Sequence, residues 1–230
     1  MNFNIYFVVA VVHLVAILGG DSYNWLVTST KPLLLPALML PFYFSSTAFA
    51  GTIRNLVIAA LLFSWMGDVV LLFQDRNAIY FLVGLISFLL AHICYIIAFT
   101  KGLSTGRKSL LSNKAWLVLI FLAYGIGFFY FIRNGLGEMM IPVIVYECII
   151  LLMGITALNR FERVDEKSFQ QVFGGALLFM ASDSLLAVNK FYAPFLMASF
   201  LIMLTYILAQ YFIVSGMLQY FFPVNRSEYK

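Results

Sequence analysis

Eight apolar runs, separated by short polar segments, follow one another along the whole chain. Bounded by loop signals, they cover residues 3–19, 32–49, 55–74, 78–100, 115–133, 139–158, 170–188 and 193–221. A helix that crosses a bilayer needs about 20 mainly apolar residues, and uninterrupted runs exclude the alternating pattern of a barrel strand. The runs therefore predict an all-α, polytopic membrane bundle with about eight transmembrane helices, forming a single transmembrane domain over residues 1–230.

The composition excludes several other classes of protein. Hydrophobic residues make up 63% of the chain and charged residues 10%, a balance that no water-soluble domain of this size carries. The first apolar run begins near Asn2 without a basic leader, so we expect a retained helix rather than a cleaved signal. Cys94 and Cys148 fall inside predicted spans and are interpreted as apolar packing residues. The net charge of +4 lies in short loops, which suits membrane lipid headgroups and not nucleic acid.

The second span carries three prolines. Pro32 suits the first position of a helix, and membrane helices tolerate Pro36 and Pro41 in their interior. Loss of this span would leave seven helices and place the two termini on opposite sides of the membrane.

Lysine and arginine residues are distributed unevenly between the two sets of loops. The odd loops carry four: Lys31, Arg76, Arg133 and Lys190. The even loops and tails carry ten: Arg54, Lys101, Arg107, Lys108, Lys114, Arg160, Arg163, Lys167, Arg226 and Lys230. The positive-inside rule then predicts that both termini are cytoplasmic.

A faint internal repeat agrees with an even number of spans. Residues 61–63 and 177–179 both read Leu-Leu-Phe and lead to Asp68 and Asp183, in the third and seventh spans. Near their starts, the fourth and eighth spans both carry Phe-Leu, at residues 81–82 and 195–196. The pattern permits two parallel four-helix halves.

Five ionisable residues lie inside the predicted spans: His13, Asp68, His92, Glu147 and Asp183. A carboxylate near the bilayer centre costs on the order of 3 kcal/mol, so each needs compensation. At about 1.5 Å per residue, Asp68 lies roughly 21 Å along the helix from Arg54, and Asp183 roughly 24 Å from Lys167. The two carboxyl groups are therefore expected at nearly the same depth.

Polar side chains on other spans share the faces that would surround these carboxyl groups. Helical periodicity aligns Gly84, Phe88, His92 and Tyr95 on the fourth span, and Tyr206 with Gln210 on the eighth. Ser64 lies one turn before Asp68 and Ser182 directly precedes Asp183, so each is a candidate local hydrogen-bond partner. If these faces converge, they form a polar pocket that begins in the middle of the membrane and opens outward.

A purely structural interpretation stands beside the functional one. Asp68 and Asp183 would then only join neighbouring helices, as polar residues do in membranes. The same interpretation applies to His92, and more strongly to Glu147 and His13. Lys31 would be an interfacial anchor.

The chain resembles the YhhN family of membrane lysoplasmalogenases over nearly its whole length. The resemblance is carried by Lys31-Pro32, by residues 64–68 (Ser-Trp-Met-Gly-Asp), and by residues 175–183 (Gly-Ala-Leu-Leu-Phe-Met-Ala-Ser-Asp). Further matching positions are Gly84, Phe88, Ala91, His92, Tyr95, Pro142, Tyr146, Leu186, Ala187, Lys190, Phe191, Tyr206 and Gln210.

This resemblance implies an eight-helix enzyme that hydrolyses the vinyl ether bond of lysoplasmalogens, releasing a fatty aldehyde and glycerophosphoethanolamine or glycerophosphocholine. Its two aspartates map onto Asp68 and Asp183, and it implies neither a metal nor another cofactor. The family also contains bacterial members, and we expect this chain in a bacterial plasma membrane.

The chemistry of vinyl ether hydrolysis suits two buried carboxyl groups. A proton is delivered to carbon, and water then captures the resulting oxocarbenium ion. One aspartate would keep its proton and supply it, while the other stays ionised, stabilises the cation and activates water. The sequence leaves open which aspartate is the acid. Tyr95, Tyr146, His92 and Gln210, with Ser64, Ser182 and Tyr206, are candidates to orient the pair or the glycerol, and Lys31 to meet the phosphate.

A hydrolase of another lipid would use the same two aspartates, and three further functions use similar residues. A metal-dependent hydrolase would need His13, His92 and the aspartates as ligands, but neither histidine lies in a metal-binding spacing. An intramembrane aspartyl protease also uses two aspartates, but Trp65 replaces the first glycine of its signature and no Pro-Ala-Leu tripeptide occurs. A proton-coupled transporter would explain buried carboxyl groups without chemistry.

Overall fold

The computed structural model describes residues 2–49, 51–104, 106 and 109–222. These residues form eight long helices and no strand. We number them α1 Asn4–Leu18, α2 Asn24–Ser45, α3 Thr52–Leu71, α4 Ala78–Thr100, α5 Leu117–Ile132, α6 Met140–Leu158, α7 Glu166–Ala187 and α8 Ala198–Phe221. Arg107, Lys108, Arg226 and Lys230, which contribute to the predicted orientation, lie outside the described residues.

The helices confirm the predicted polytopic bundle. Within the described residues, seven helices are long and apolar enough to cross a membrane, and α1 is a shorter apolar helix of 15 residues. At 1.5 Å per residue, α1 is about 22 Å long, which is less than the hydrocarbon thickness of a bilayer. It packs against α2 and α8, so it belongs to the bundle.

The second helix differs most from its predicted bounds, because it begins at Asn24 and not near Pro32. All three prolines lie inside it. The hydroxyl groups of Thr28, Ser29 and Thr30 donate to the carbonyl oxygens four residues earlier, so the polar side chains of this turn are hydrogen-bonded within the helix. Lys31 consequently lies two turns inside α2 and not at its start.

The closest helix pairs are α3 with α4 and α7 with α8. A glycine allows the close approach of the two helices in each pair. A Cβ at Gly67 would lie 2.6 Å from the Phe88 ring, and one at Gly175 would lie 2.8 Å from the backbone nitrogen of Ile213. These two antiparallel pairs are the ones that the predicted repeat relates, whereas the two parallel halves stay a prediction.

The connection from α3 to α4 and the connection from α7 to α8 lie on the same side of the bundle. Asp68 lies one turn before the end of α3, and Asp183 one turn before the end of α7. After α7 the chain continues in a π-helical turn, Val188–Tyr192. The two carboxyl groups are thus close to the same end of the bundle.

Candidate active site

Asp68 is held by a tyrosine of a distant helix. Its side chain is 3% exposed. The Tyr206 hydroxyl of α8 donates to Asp68 Oδ2 over 2.7 Å. Because a buried carboxyl group without a partner costs several kcal/mol, this bond compensates part of the cost of placing Asp68 in the bundle.

Two more polar side chains continue from Tyr206 into the core. Gln210, one turn further along α8, donates from Nε2 to the Tyr206 oxygen over 3.4 Å. The Tyr95 hydroxyl of α4 donates to Gln210 Oε1 over 2.7 Å. The polar faces expected on the fourth and eighth spans therefore meet, and they form a hydrogen-bond chain that ends at Asp68.

Asp183 has a separate partner on α6. The Tyr146 hydroxyl donates to Asp183 Oδ2 over 2.5 Å. Asp183 is only half-buried, in contrast to Asp68. The carboxyl groups of Asp183 and Asp68 are close enough to interact electrostatically, so the two aspartates form a pair across α3 and α7.

A small cavity of about 50 Å³ borders Asp183. Asp183 and Tyr146 supply its polar side chains, and its other walls are apolar, including Leu71, Leu85 and Leu186. The cavity is large enough for a few atoms beside a carboxyl group. A reacting bond placed there would touch Asp183 in surroundings that contain little other polarity.

Aromatic rings surround the hydrogen-bonded tyrosines. The Tyr206 ring packs edge-on against Phe88 and Phe179, with ring centres 5.9 and 5.5 Å apart. His92 is fully buried, and its ring packs edge-on against Phe179 at 4.6 Å and Tyr146 at 5.3 Å. Neither ring nitrogen of His92 has a hydrogen-bond partner among the described residues. His92 therefore contacts the tyrosine that holds Asp183, but not the aspartate.

The two serines do not bond the aspartates. The Ser182 hydroxyl donates to the carbonyl oxygen of Ile202 on α8 over 3.0 Å. Successive residues on a helix point about 100° apart, so Ser182 faces α8 while Asp183 faces the cavity. Ser64 is fully buried, and its hydroxyl has no partner within the described ranges. The expected local serine–aspartate bonds are therefore absent from both described helices.

Lys31 lies at the level of the aspartates. It is half-buried and close enough to interact electrostatically with Asp68 and with His13. His13 is fully buried and its Nδ1 lies 2.8 Å from the Thr30 hydroxyl oxygen. The helix α2 extends beyond Lys31 on both sides, which corrects the expected position of Lys31 at the start of this span, whereas its position at the membrane edge stays a prediction.

Two aromatic residues that are not among the predicted site residues also belong to the site. Phe81 and Phe191 line the cavity. The ammonium group of Lys190, which precedes Phe191, lies 4.9 Å from the centre of the Phe81 ring. The only signal in the sequence was the presence of Lys190 and Phe191 among the family-like positions.

The remaining candidates lie elsewhere. Glu147 neighbours Tyr146 in sequence but faces α5, near Gly125. A larger cavity of about 440 Å³ lies between α5 and α7, and no acidic side chain lines it. In the part of the chain that the structure describes, no three His, Cys, Asp or Glu side chains are grouped as metal ligands would be. Of these two cavities, the one beside Asp183 is thus the one that an acidic side chain lines.

Comparison with known proteins identifies relatives of this chain. Lysoplasmalogenase TMEM86A of Bos taurus is 32% identical over 175 residues, which cover 74% of this chain and 68% of the bovine protein. The Homo sapiens TMEM86A is 30% identical over 213 residues, covering 89% of this chain and 83% of the human protein. Lysoplasmalogenase TMEM86B of Homo sapiens is 30% identical over 199 residues, covering 86% and 78%. No solved structure matches the chain significantly. Residues 26–217 match the YhhN family, so the chain belongs to that family.

Proposed function

We propose that this protein is a lysoplasmalogenase, a membrane hydrolase that cleaves the vinyl ether bond of lysophospholipids by aspartate acid–base catalysis. The observation that carries the proposal is the pair formed by Asp68 and Asp183, one of which borders an apolar cavity. Similarity to three curated lysoplasmalogenases over most of their length supports the reaction class.

The geometry suits a reaction that begins with proton transfer to carbon. A vinyl ether offers its outer carbon to an acid, and protonation there converts the adjacent carbon and oxygen into an oxocarbenium ion. A neighbouring carboxylate stabilises that cation and then takes a proton from the attacking water. The hemiacetal that forms collapses to the aldehyde and the free glycerol hydroxyl.

The low polarity of the site assists this chemistry. Charges interact more strongly where water is scarce, so a carboxylate beside the forming cation stabilises it more than it would in water. Two carboxyl groups that interact in surroundings of low polarity do not readily ionise together, and one of them keeps its proton. The pair therefore has an acid and an anion at the same time, as the reaction requires.

Aldehyde release from a synthetic lysoplasmalogen by the purified, detergent-solubilised protein tests the proposal. The saturated ether lysolipid, which lacks only the double bond, and a 1-acyl lysolipid serve as substrate controls, because neither forms aldehyde by this route. We expect wild-type protein to release aldehyde from the vinyl ether alone. Absence of release by wild-type protein would refute the proposal and favour a transport function.

Variants then test the aspartates. We expect Asp68→Asn and Asp183→Asn each to reduce turnover by at least about 100-fold, since each removes an acid or a base. Glu147→Gln is the matched control, because it neutralises a carboxyl group inside the membrane that faces α5 and not the pair. Full activity in both aspartate variants would contradict the assignment.

We also propose the orientation, with both termini in the cytoplasm of a bacterial cell and the protein in the plasma membrane. The excess of lysine and arginine in the even loops supports it. The aspartate cavity would then open toward the outer leaflet. Labelling of a single cysteine introduced at Asp75 or at Glu166 by a membrane-impermeant maleimide, in a background without native cysteines, tests it. Only the Asp75 site should react in intact cells.

A further inference from the structure

The two aspartates have different hydrogen-bonding surroundings, and this difference indicates which of them is the acid and which is the ionised carboxylate. We infer that Asp183 is the acid that protonates the vinyl carbon, and that Asp68 is the ionised carboxylate that faces the cation. This inference rests on the proposed function, since it assigns the pair to steps of the same hydrolysis.

The hydrogen-bond chain beyond Asp68 has one direction. Tyr206 has a single hydroxyl hydrogen and gives it to Asp68, so it can only accept from Gln210. The Gln210 amide nitrogen therefore points to Tyr206, and its oxygen accepts from Tyr95. Every hydrogen in the chain points toward Asp68. Linked donors of this kind polarise one another and stabilise an ionised acceptor.

The charged and titratable groups around Asp68 favour the same state. Lys31 of α2 is the cation that interacts with it, and Asp183 faces it from α7. Tyr6 of α1 is also within electrostatic range, but its hydroxyl donates to the Ile207 carbonyl oxygen over 2.7 Å. From α4, Phe88 packs against Tyr206 and His92 against Tyr146. A positive group and a directed donor chain thus both stabilise a negative Asp68.

The surroundings of Asp183 are poorer in donors. Tyr146 of α6 is its hydrogen-bond donor, and Asp68 of α3 is the charged group that acts on it. On the α5 side, Tyr124 is bonded to Ser184 over 2.5 Å and is not available to Asp183. Within the described ranges no lysine or arginine donates a hydrogen bond to Asp183, and the ammonium group of Lys190, two turns further along the chain, lies over the Phe81 ring. When the pair holds one proton, that proton is therefore more stable on Asp183.

Access to the cavity supports the same division. Asp183 lines the cavity, whereas Asp68 is nearly fully buried behind it. A proton donor must touch the carbon that it protonates, because proton transfer requires hydrogen-bond distance. A charge that stabilises a cation acts over a longer distance in surroundings of low polarity, and Asp68 exchanges protons with the attacking water and the glycerol oxygen through one bridging water. The aspartate that lines the cavity thus suits the acid, and the enclosed aspartate suits the anion.

The complete sequence of steps balances with these roles. Asp183 gives its proton to the outer vinyl carbon, a C–H bond forms, the C=C π bond breaks, and an oxocarbenium ion results. Water adds to the cationic carbon and Asp68 takes the proton that water loses. In the collapse, Asp68 returns that proton to the glycerol oxygen as the C–O bond breaks, and Asp183 takes the hydroxyl proton of the hemiacetal. Both aspartates regain their starting states.

The pH dependence of kcat/KM in matched tyrosine variants tests the division. The acidic limb reports ionisation of the base, and the alkaline limb reports loss of the proton from the acid. Tyr206→Phe removes a donor from Asp68, so the acidic limb should move to higher pH by about one unit while the alkaline limb stays in place. Tyr146→Phe removes the donor from Asp183, so the alkaline limb should move to higher pH by a similar amount and the acidic limb should stay.

If Tyr206→Phe folds poorly, Tyr95→Phe takes its place in the test. Tyr95→Phe acts two links away, and we expect a smaller shift of the same acidic limb. Exchange of the two responses, with Tyr206→Phe moving the alkaline limb and Tyr146→Phe the acidic limb, would reverse the roles. Unchanged limbs in all three folded variants would show that the tyrosines are only structural and would overturn the inference. Both results require active wild-type protein, whose inactivity would refute the proposed function instead.

Discussion

The ammonium group of Lys190 lies 4.9 Å from the centre of the Phe81 ring, and Phe81 lines the cavity that Asp183 borders. An ammonium group over an aromatic face is held there by the ring quadrupole. Lys190 itself is exposed, so it remains able to meet a lipid phosphate at this end of the bundle. The structure thus offers two lysines for a headgroup, Lys190 beside the cavity and Lys31 at the depth of Asp68.

We expect Lys190→Gln to raise KM for the lysolipid about 3–10-fold and to leave kcat nearly unchanged, because a phosphate contact at a surface is worth about 1 kcal/mol in substrate and transition state alike. Steady-state aldehyde release measures both constants. Arg76→Gln is the matched control, since Arg76 lies 5.0 Å from the ring of Phe73, which does not line the cavity. Equal KM values for Lys190→Gln and wild-type protein would exclude this headgroup contact.

Lys31→Gln should act differently. Lys31 interacts with Asp68, so its loss removes a cation that stabilises the ionised carboxylate. We expect kcat to fall and KM to change little, with Lys31→Arg restoring most of the rate. If KM rises while kcat is kept, Lys31 binds the phosphate instead, which is the role that the sequence predicts for it.

The isotope content of the aldehyde checks that carbon is protonated. In D2O the acid of the pair carries deuterium, so the aldehyde should contain one deuterium on the carbon next to the carbonyl group. Mass spectrometry of the freshly released aldehyde measures it, and unlabelled aldehyde incubated with protein in D2O controls for later exchange. An aldehyde without deuterium would point to a different cleavage route.

The packing of α7 on α8 gives a prediction on stability. A Cβ at Gly175 would lie 2.9 Å from the carbonyl oxygen of Ala209, whereas a Cβ at Gly174 would meet nothing within 4 Å. Gly175→Ala therefore forces the two helices apart and should cost about 1–3 kcal/mol, and Gly174→Ala should be neutral or stabilising. Thermal denaturation in detergent compares these adjacent positions. Equal melting temperatures would show that the helix pair yields without strain.

The sequence predicts the helices better than their contacts. The bounds of α4, Ala78–Thr100, coincide with the predicted span because Asn77 caps its start and Lys101 follows its end. The start of α2 was wrong by eight residues, since Pro32 resembles a first helical position and the hydroxyl-rich turn before it resembles a loop. Hydrogen bonds to the helix backbone satisfy the hydroxyl groups of that turn, and an apolar window does not detect such bonds.

Helical periodicity also identified the polar faces but not the partners. It aligned Tyr206 with Gln210, yet the bond from Tyr206 to Asp68 depends on how α8 is rotated against α3. These two residues are 138 positions apart along the chain. The same limit explains Ser182, whose nearness to Asp183 in sequence suggested a bond that the rotation of α7 excludes. The depth of a residue follows from its distance along one helix, whereas its partner depends on the packing of two.

The last prediction concerns Arg160, which is fully buried in the turn after α6. Its guanidinium donates to the Phe99 carbonyl oxygen over 3.4 Å and to the Ser168 hydroxyl over 3.1 Å. Ser168 in turn donates to the Gly216 carbonyl oxygen over 2.7 Å. Burial lowers the pKa of Arg160 to about 10, so the group still carries its charge at neutral pH.

Arg160 thus joins the C-terminal ends of α4, α6 and α8, where the partial negative charge of helix ends compensates a cation. Arg160→Lys keeps the charge but cannot span both acceptors, and we expect it to cost about 1–3 kcal/mol of stability, with Arg160→Met costing at least as much. Lys167→Met, which removes an exposed cation nearby, should leave the melting temperature unchanged. Because the aspartate pair lies toward the opposite end of the bundle, aldehyde release per folded molecule should be the same in all three variants. A melting temperature that does not fall in Arg160→Met would show that the helix ends need no cation.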